Sequence, residues 1–289
     1  MISQEARDLF AANVKAMTAG DAAHLASQLL PDDVSRLKDI AYVHDGDAAH
    51  LLDIYTLADA EEGAALPVIV DFHGGGLYYG NKENNECRDM LLARQGFAVV
   101  NANYRLVPSV SFPAQLADAM AVLDWIRDHG AEYGLDAERV CVTGDSAGGA
   151  LALWQSGIEV HALVVTSGMF RLQGGVHANA LSYYMEGYLQ TPADHIKVNP
   201  YLDLDKLIVD GDVPPIYMIT SVEDFIADNT YELARILHAR HKDHAMSVWP
   251  KGRERVLGHV FNIVQAGDPE AGEAHQVICD IADYCKRYI

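Results

Sequence analysis

The residues with the clearest chemical potential lie in the stretch CVTGDSAGGA, positions 141–150. Residues 140–143 form an apolar run that reads as a buried strand, and residues 147–154 read as a helix. Ser146 stands between them in the pattern Gly144-Asp145-Ser146-Ala147-Gly148. A sharp strand-to-helix turn needs small neighbours, and it pushes one hydroxyl out of the sheet with the next backbone N–H available to a negative oxygen. Ser146 is therefore a candidate nucleophile for acyl transfer, with the Ala147 N–H as a candidate donor. The five-residue pattern alone also fits a plain glycine-rich turn.

A second stretch bears on that choice. His73-Gly74-Gly75-Gly76 follows directly on the apolar run PVIVDF, positions 67–72. Consecutive glycines leave room for backbone N–H groups to face a cavity. Such donors stabilise the oxyanion of a tetrahedral intermediate, by about 3 kcal/mol per donor in measured cases. A flexible loop is the bland alternative, but the position after a buried strand and upstream of the serine turn argues against it.

An activated serine also needs a base, and the base needs an orienting carboxylate. In a strand–turn–helix context the order along the chain is serine, acid, histidine. After the apolar run PIYMIT, positions 215–220, come Glu223 and Asp224, with Asp228 close behind. Asp224 sits at the strand end, and the other two acids are close competitors. The chain has 13 histidines, so a histidine alone means little. His259, in GHVFNI after the last strand-like run, is singled out by order and position.

The elements that must hold these residues are legible in the hydrophobic pattern. Strand-like runs occur at 50–57, 67–72, 97–104, 139–144, 161–168, 215–220 and 245–250. Several are continuously apolar, as expected of strands covered on both faces. Helical patterns alternate with them. Residues 114–129 place Leu116, Met120, Leu123 and Ile126 on one stripe, with Gly130 as a stop, and residues 229–240 and 270–288 behave similarly. This alternation predicts an α/β fold with a mostly parallel sheet and helices on both faces.

Two segments interrupt the alternation. Residues 1–45 read as an N-terminal helical cap, with Leu9, Phe10, Val14 and Met17 on one face. Residues 169–212 contain Gly174, Gly175 and several tyrosines, without a clear strand, and read as a cap insertion. The expected division is core over 46–168 and 213–289, with both caps over the C-terminal strand ends, where open α/β sheets bind ligands.

Bulk composition narrows the function classes. The chain has 289 residues, half of them hydrophobic and 21% charged, which is globular composition. Net charge is −20, from 41 acidic and 21 basic residues, which disfavours nucleic acids and anionic membranes as partners. No run approaches a membrane span, and MISQEARDLF carries no apolar signal core. Cys87, Cys141, Cys279 and Cys285 lack metal-ligand spacing. A cytoplasmic chain with free thiols is expected.

Taken together, HGGG (73–76), YRLVPSVSFPAQLADAMAVLDW (104–125), GDSAGG (144–149), EDFIADNTYELARIL (223–237) and HVF (259–261) resemble, in order, the hormone-sensitive-lipase-like carboxylesterases of the α/β-hydrolase superfamily. The resemblance spans roughly residues 50–289. It implies an α/β-hydrolase fold with a small helical cap and a catalytic triad of Ser146, Asp224 and His259. It also implies an oxyanion hole of Gly75, Gly76 and Ala147. Phe225 departs from the proline usual after the triad acid. The 78 residues from Ser146 to Asp224 are few for this family and imply a trimmed lid.

The function implied is hydrolysis of small, short-acyl esters through an acyl-enzyme, without metal or cofactor. Tyr78, Tyr79, Tyr183 and Tyr184 are candidate substrate-lining residues, although tyrosines at such spacing also serve packing. An amidase or formamidase shares these motifs, and a silent ligand-binding member of the fold is the other alternative. Pairing of two copies through residues 245–250 and 270–288 is a further expectation.

Overall fold

The computed structural model describes residues 2–60, 63–154, 160–171 and 181–289. In chain order the elements are α1 (Gln4–Ser27), β1 (Val34–Ala41), β2 (Leu51–Leu57), β3 (Leu66–Phe72), α2 (Glu86–Ala93) and β4 (Ala98–Ala102). Then follow α3 (Phe112–His129), β5 (Leu135–Asp145), α4 (Ala147–Trp154), β6 (Ala162–Thr166), α5 (Leu181–Tyr188), α6 (Pro192–Leu202) and α7 (Leu204–Asp210). The chain closes with β7 (Ile216–Ser221), α8 (Ala227–Ala239), β8 (His244–Trp249), α9 (Phe261–Val264) and α10 (Gly272–Cys285).

Eight strands form one sheet in the order β1-β2-β4-β3-β5-β6-β7-β8. Strand β2 runs antiparallel to both β1 and β4, and every later pairing is parallel. Alternation within the apolar runs explains how one sheet feeds two cores. In β3, Val68, Val70 and Phe72 join one core with α3, α4 and α8, while Ile69 joins the other with α2 and α10. Side chains of successive strand residues point to opposite faces, so a strand buried on both sides must be apolar throughout.

Two expectations are corrected here. Residues 1–45 are not a purely helical cap: α1 ends at Ser27, and β1 occupies Val34–Ala41 as an edge strand of the sheet. Its sequence VSRLKDIA carries exposed Arg36 and Lys38 and a register shift between Leu37 and Ile40. A charged, bulged edge strand discourages unwanted pairing, and for that reason it lacks the apolar run that marks a central strand. On α3, Leu116, Leu123 and Ile126 are buried as expected, but Met120 is 48% exposed, and Phe112, Ala119 and Val122 complete the buried face.

Helix α1 is fastened across the C-terminal strand ends. The Ser3 hydroxyl caps it by accepting from the Ala6 N–H at 3.2 Å. The Asn13 amide donates to the Tyr184 hydroxyl of α5 at 2.6 Å. Phe10 is buried among the rings of Tyr78, Tyr184 and Tyr188, with centroids 5.4, 5.6 and 6.4 Å away. Gly174 and Gly175 lie outside the described residues. No helix among the described residues is long and apolar enough to cross a membrane.

Candidate active site

The turn between β5 and α4 places Ser146 at φ +50°, in the left-handed region. Non-glycine residues adopt that conformation only where the surroundings hold them there. Here the Ser146 N–H donates to the Thr166 carbonyl at 3.0 Å, and the Ser146 carbonyl accepts from the Met169 N–H at 2.7 Å. Gly148 is required by close approach. A Cβ on it would collide with the Phe72 and His73 carbonyl oxygens, so the first turn of α4 lies directly on the end of β3. Both ends of the elbow are thus locked to central strands.

The HGGG loop follows β3 and is braced from behind. His73 is buried and stacks on Tyr104 at 4.4 Å, and the Tyr104 hydroxyl donates to the His73 carbonyl at 2.7 Å. Burial holds the His73 imidazole down at about 4, so the ring is neutral and structural. Gly75 has φ +103°, and a Cβ there would strike the Tyr79 carbonyl. The Gly74 N–H is already taken by the Asp145 carboxylate at 3.1 Å. Among the described residues, the N–H groups of Gly75, Gly76 and Ala147 donate to no protein acceptor. They are thus available to donate to an acceptor brought into the site.

Behind this loop lies a buried charge network. The Asn85 amide donates to Asp71 at 2.7 Å and to Asp145 at 2.8 Å. The Arg88 guanidinium pairs with Asp71 at 2.5 Å and Asp89 at 2.9 Å. Burial, reinforced by the Asp71 charge, pushes the Asp145 carboxyl up to about 6. Asp145 therefore ties the elbow, of which it is part, to the first glycine N–H of the loop.

His259 bridges the other two candidates. Its Nδ1 lies 2.9 Å from Asp224 Oδ1, and its Nε2 lies 3.0 Å from Ser146 Oγ. The carboxylate can only accept, so Nδ1–H donates to it, and Nε2 is left to accept from the hydroxyl. This tautomer is assigned from the hydrogen-bond network. Burial raises the Asp224 carboxyl, but the His259 contact, the Ile226 N–H and the Ser167 hydroxyl outweigh it, and the net direction is down. Asp224 also accepts from the Thr220 hydroxyl at 3.0 Å. The two rival acids are disposed otherwise. Glu223 accepts from the Gly252 and Leu257 N–H groups at 3.0 and 2.9 Å, holding the loop that leads to His259, and Asp228 is exposed on α8.

These groups open onto a cavity of about 240 Å³. Tyr78 and Tyr79 line it, as do Met169, Phe225 and Val260. Of the tyrosines expected in the lid, Tyr183 and Tyr184 are not among its described lining residues. Tyr184 is buried against Phe10, and Tyr183 is half-buried on α5. Tyr188 takes the wall position instead and donates to the Gly76 carbonyl at 2.9 Å. Helical phase explains the exchange: positions 184 and 188 share a face, and only the second reaches the glycine loop. Helix α1 adds Met17, Asp21 and His24 to the wall. Met17 belongs to the apolar face expected of this cap, whereas nothing local in the sequence marks Asp21 and His24 as wall residues. Phe225 is 73% exposed and stands 4.7 Å from the His259 ring, a position that its departure from proline had flagged.

The chain matches the BD-FAE family over residues 52–174. Esterase LipI of Mycobacterium tuberculosis (strain ATCC 25618 / H37Rv) is 38% identical over 101 residues, which are 34% of this chain and 31% of LipI. The match thus spans about a third of that relative's length. An acetyl esterase of Salmonella schwarzengrund (strain CVM19633) is 26% identical over 220 residues, 68% of each chain. Esterase B from Lactobacillus rhamnosis superposes with a TM-score of 0.88 over 99% of this chain and 97% of that one, at 24% identity. At that identity the superposition speaks to the fold, which is that of the α/β-hydrolases. The sheet and the superposition give the chain the α/β-hydrolase fold, and in sequence it is similar to these esterases over part of its length.

Proposed function

We propose that the chain is a serine carboxylesterase acting on small, short-acyl esters, with Ser146, His259 and Asp224 as its triad. The observation that carries this is His259 standing between Asp224 and Ser146 at 2.9 and 3.0 Å, beside three unused backbone N–H groups. The naming of curated relatives as esterases supports the reaction class. A cavity of about 240 Å³ supports a small substrate, since sites for drug-sized ligands run to about 300–1,000 Å³.

In this mechanism His259 Nε2 takes the Ser146 proton as Oγ attacks the ester carbonyl. Asp224 stabilises the imidazolium that forms and keeps Nδ1 protonated. The N–H groups of Gly75, Gly76 and Ala147 receive the oxyanion. His259 then gives its proton to the departing alkoxide oxygen as the C–O bond breaks, which leaves an acyl-Ser146. Water attacks the acyl group with His259 again as base, and the acid leaves.

The test is hydrolysis of p-nitrophenyl esters from acetate to decanoate by wild type and Ser146→Ala. Turnover is expected on the short esters and should fall by roughly 10⁴-fold or more in the variant. Near-normal rates in a folded Ser146→Ala protein would overturn the nucleophile. A wild type that is inert towards every ester but cleaves the matched anilides would replace esterase with amidase.

A further inference from the structure

The wall that α1 contributes carries a charge that the proposed reaction does not use. Asp21 borders the catalytic cavity and also a second cavity of about 370 Å³ between α1 and the segment 78–84 that follows the HGGG loop. Tyr79 and Asn84 stand with Asp21 in both walls. The Tyr79 hydroxyl donates to Asp21 Oδ2 at 2.8 Å, and the Asn84 amide donates to the same oxygen at 3.1 Å. Two donors on one oxygen fix the carboxylate at the boundary and leave Oδ1 outside both contacts. No lysine or arginine is among the described lining residues of either cavity. A cation placed there meets the negative charge of Asp21.

We propose that Asp21 is a specificity-determining residue that selects esters carrying a positive charge on the group lying beneath α1, against uncharged isosteres. This rests on the esterase reading above. A charge held at a cavity wall is screened less than one in open water. Partly screened by solvent at the open side of the cavity, one such charge pair is expected to give discrimination of roughly tenfold. Anionic esters meet the same field with the opposite sign.

The probes are acetylcholine and 3,3-dimethylbutyl acetate, which share a shape and differ in charge. The readout is the ratio of their kcat/KM values in wild type and in Asp21→Asn. Asparagine keeps an acceptor for the Tyr79 hydroxyl, and a ratio is insensitive to the fraction of active protein. We expect a wild-type ratio near ten that falls to near one in Asp21→Asn, and that also falls in wild type at high salt. A second variant, Tyr79→Phe, retains the carboxylate and should keep a ratio well above one. A wild-type ratio near one, or a ratio unchanged in Asp21→Asn, overturns the proposal. Wild-type turnover of p-nitrophenyl acetate separates the two levels: with it, a failed ratio sinks only the role of Asp21, and without it the esterase reading itself falls.

Discussion

The inner and outer walls of the site are built in different ways. The inner wall is made of sheet ends and backbone: Ser146 in a strained turn, the HGGG loop, and a carboxylate network sealed beneath them. Ser146 N–H bonds to one neighbouring strand, and Gly148 permits direct contact with another. The outer wall is carried by α1 and α5, whose inward faces meet through Phe10, Tyr184 and Tyr188 and a few hydrogen bonds. Much of α1 is exposed, with only Ala6 and Phe10 buried along its 24 residues. The proposed chemistry is thus placed where backbone and sheet ends are tied by several hydrogen bonds and close contacts, and the proposed substrate contact where fewer interactions hold the wall. Local stability follows buried contact in the same way.

This contrast can be broken by variants on each side. The largest effect is expected for Asp224→Asn, which leaves the geometry but no longer enforces the Nδ1–H tautomer of His259. Its kcat should fall by roughly 10³–10⁴-fold with the fold intact, measured by steady-state kinetics beside circular dichroism. A loss below tenfold would remove Asp224 from the proposed triad.

Phe10→Ala attacks the outer wall. Deleting a buried ring costs about 3–5 kcal/mol when the site cannot collapse. The melting temperature should drop and KM rise several-fold, while kcat stays within about threefold of wild type. If kcat fell as far as in Asp224→Asn, the two walls would not be separable.

The smallest effect is expected for Asp145→Asn, and it sharpens the account of the inner wall. In the folded protein burial holds the Asp145 carboxyl at about 6, above its ordinary 3.8. The folded state therefore binds more protons between those values, and stability contributed below about 3.8 is lost as pH rises through about 6. Asparagine does not titrate. Relative to wild type, the variant should gain on the order of 2 kcal/mol from pH 4 to pH 7, read by denaturant unfolding at each pH. A pH-independent difference would show that Asp145 is not forced up by its surroundings.

Much of this architecture was open to inspection in the chain itself. The central strands are apolar on both faces, so their runs stand out, and seven of the eight strands coincide with them. Strand β1 escaped because an exposed edge strand keeps charges on its solvent side. The exposure of Met120 on α3 escaped because it fits an apolar stripe as well as its buried neighbours Leu116, Leu123 and Ile126 do. Ser146, His259 and the glycines were legible because a strained elbow and a donor loop tolerate few residue types. Asp224 was not separable from Glu223 and Asp228 by spacing alone. The folded backbone separates them, giving Glu223 to two loop N–H groups and Asp224 to His259.

The sequence by itself determined the alternation of elements and the order of the chemical groups along them. These depend on short-range sterics and on burial, which a local pattern records. Only the tertiary structure decided that Asp21 of α1 stands at the wall, that Tyr188 and not Tyr183 or Tyr184 is among the described residues lining the cavity, and that Asp145 joins the elbow to the HGGG loop. Those pairings are distant in sequence, Asp21 with Tyr79 and Gly74 with Asp145, and the contact exists only once the sheet has set where each strand ends.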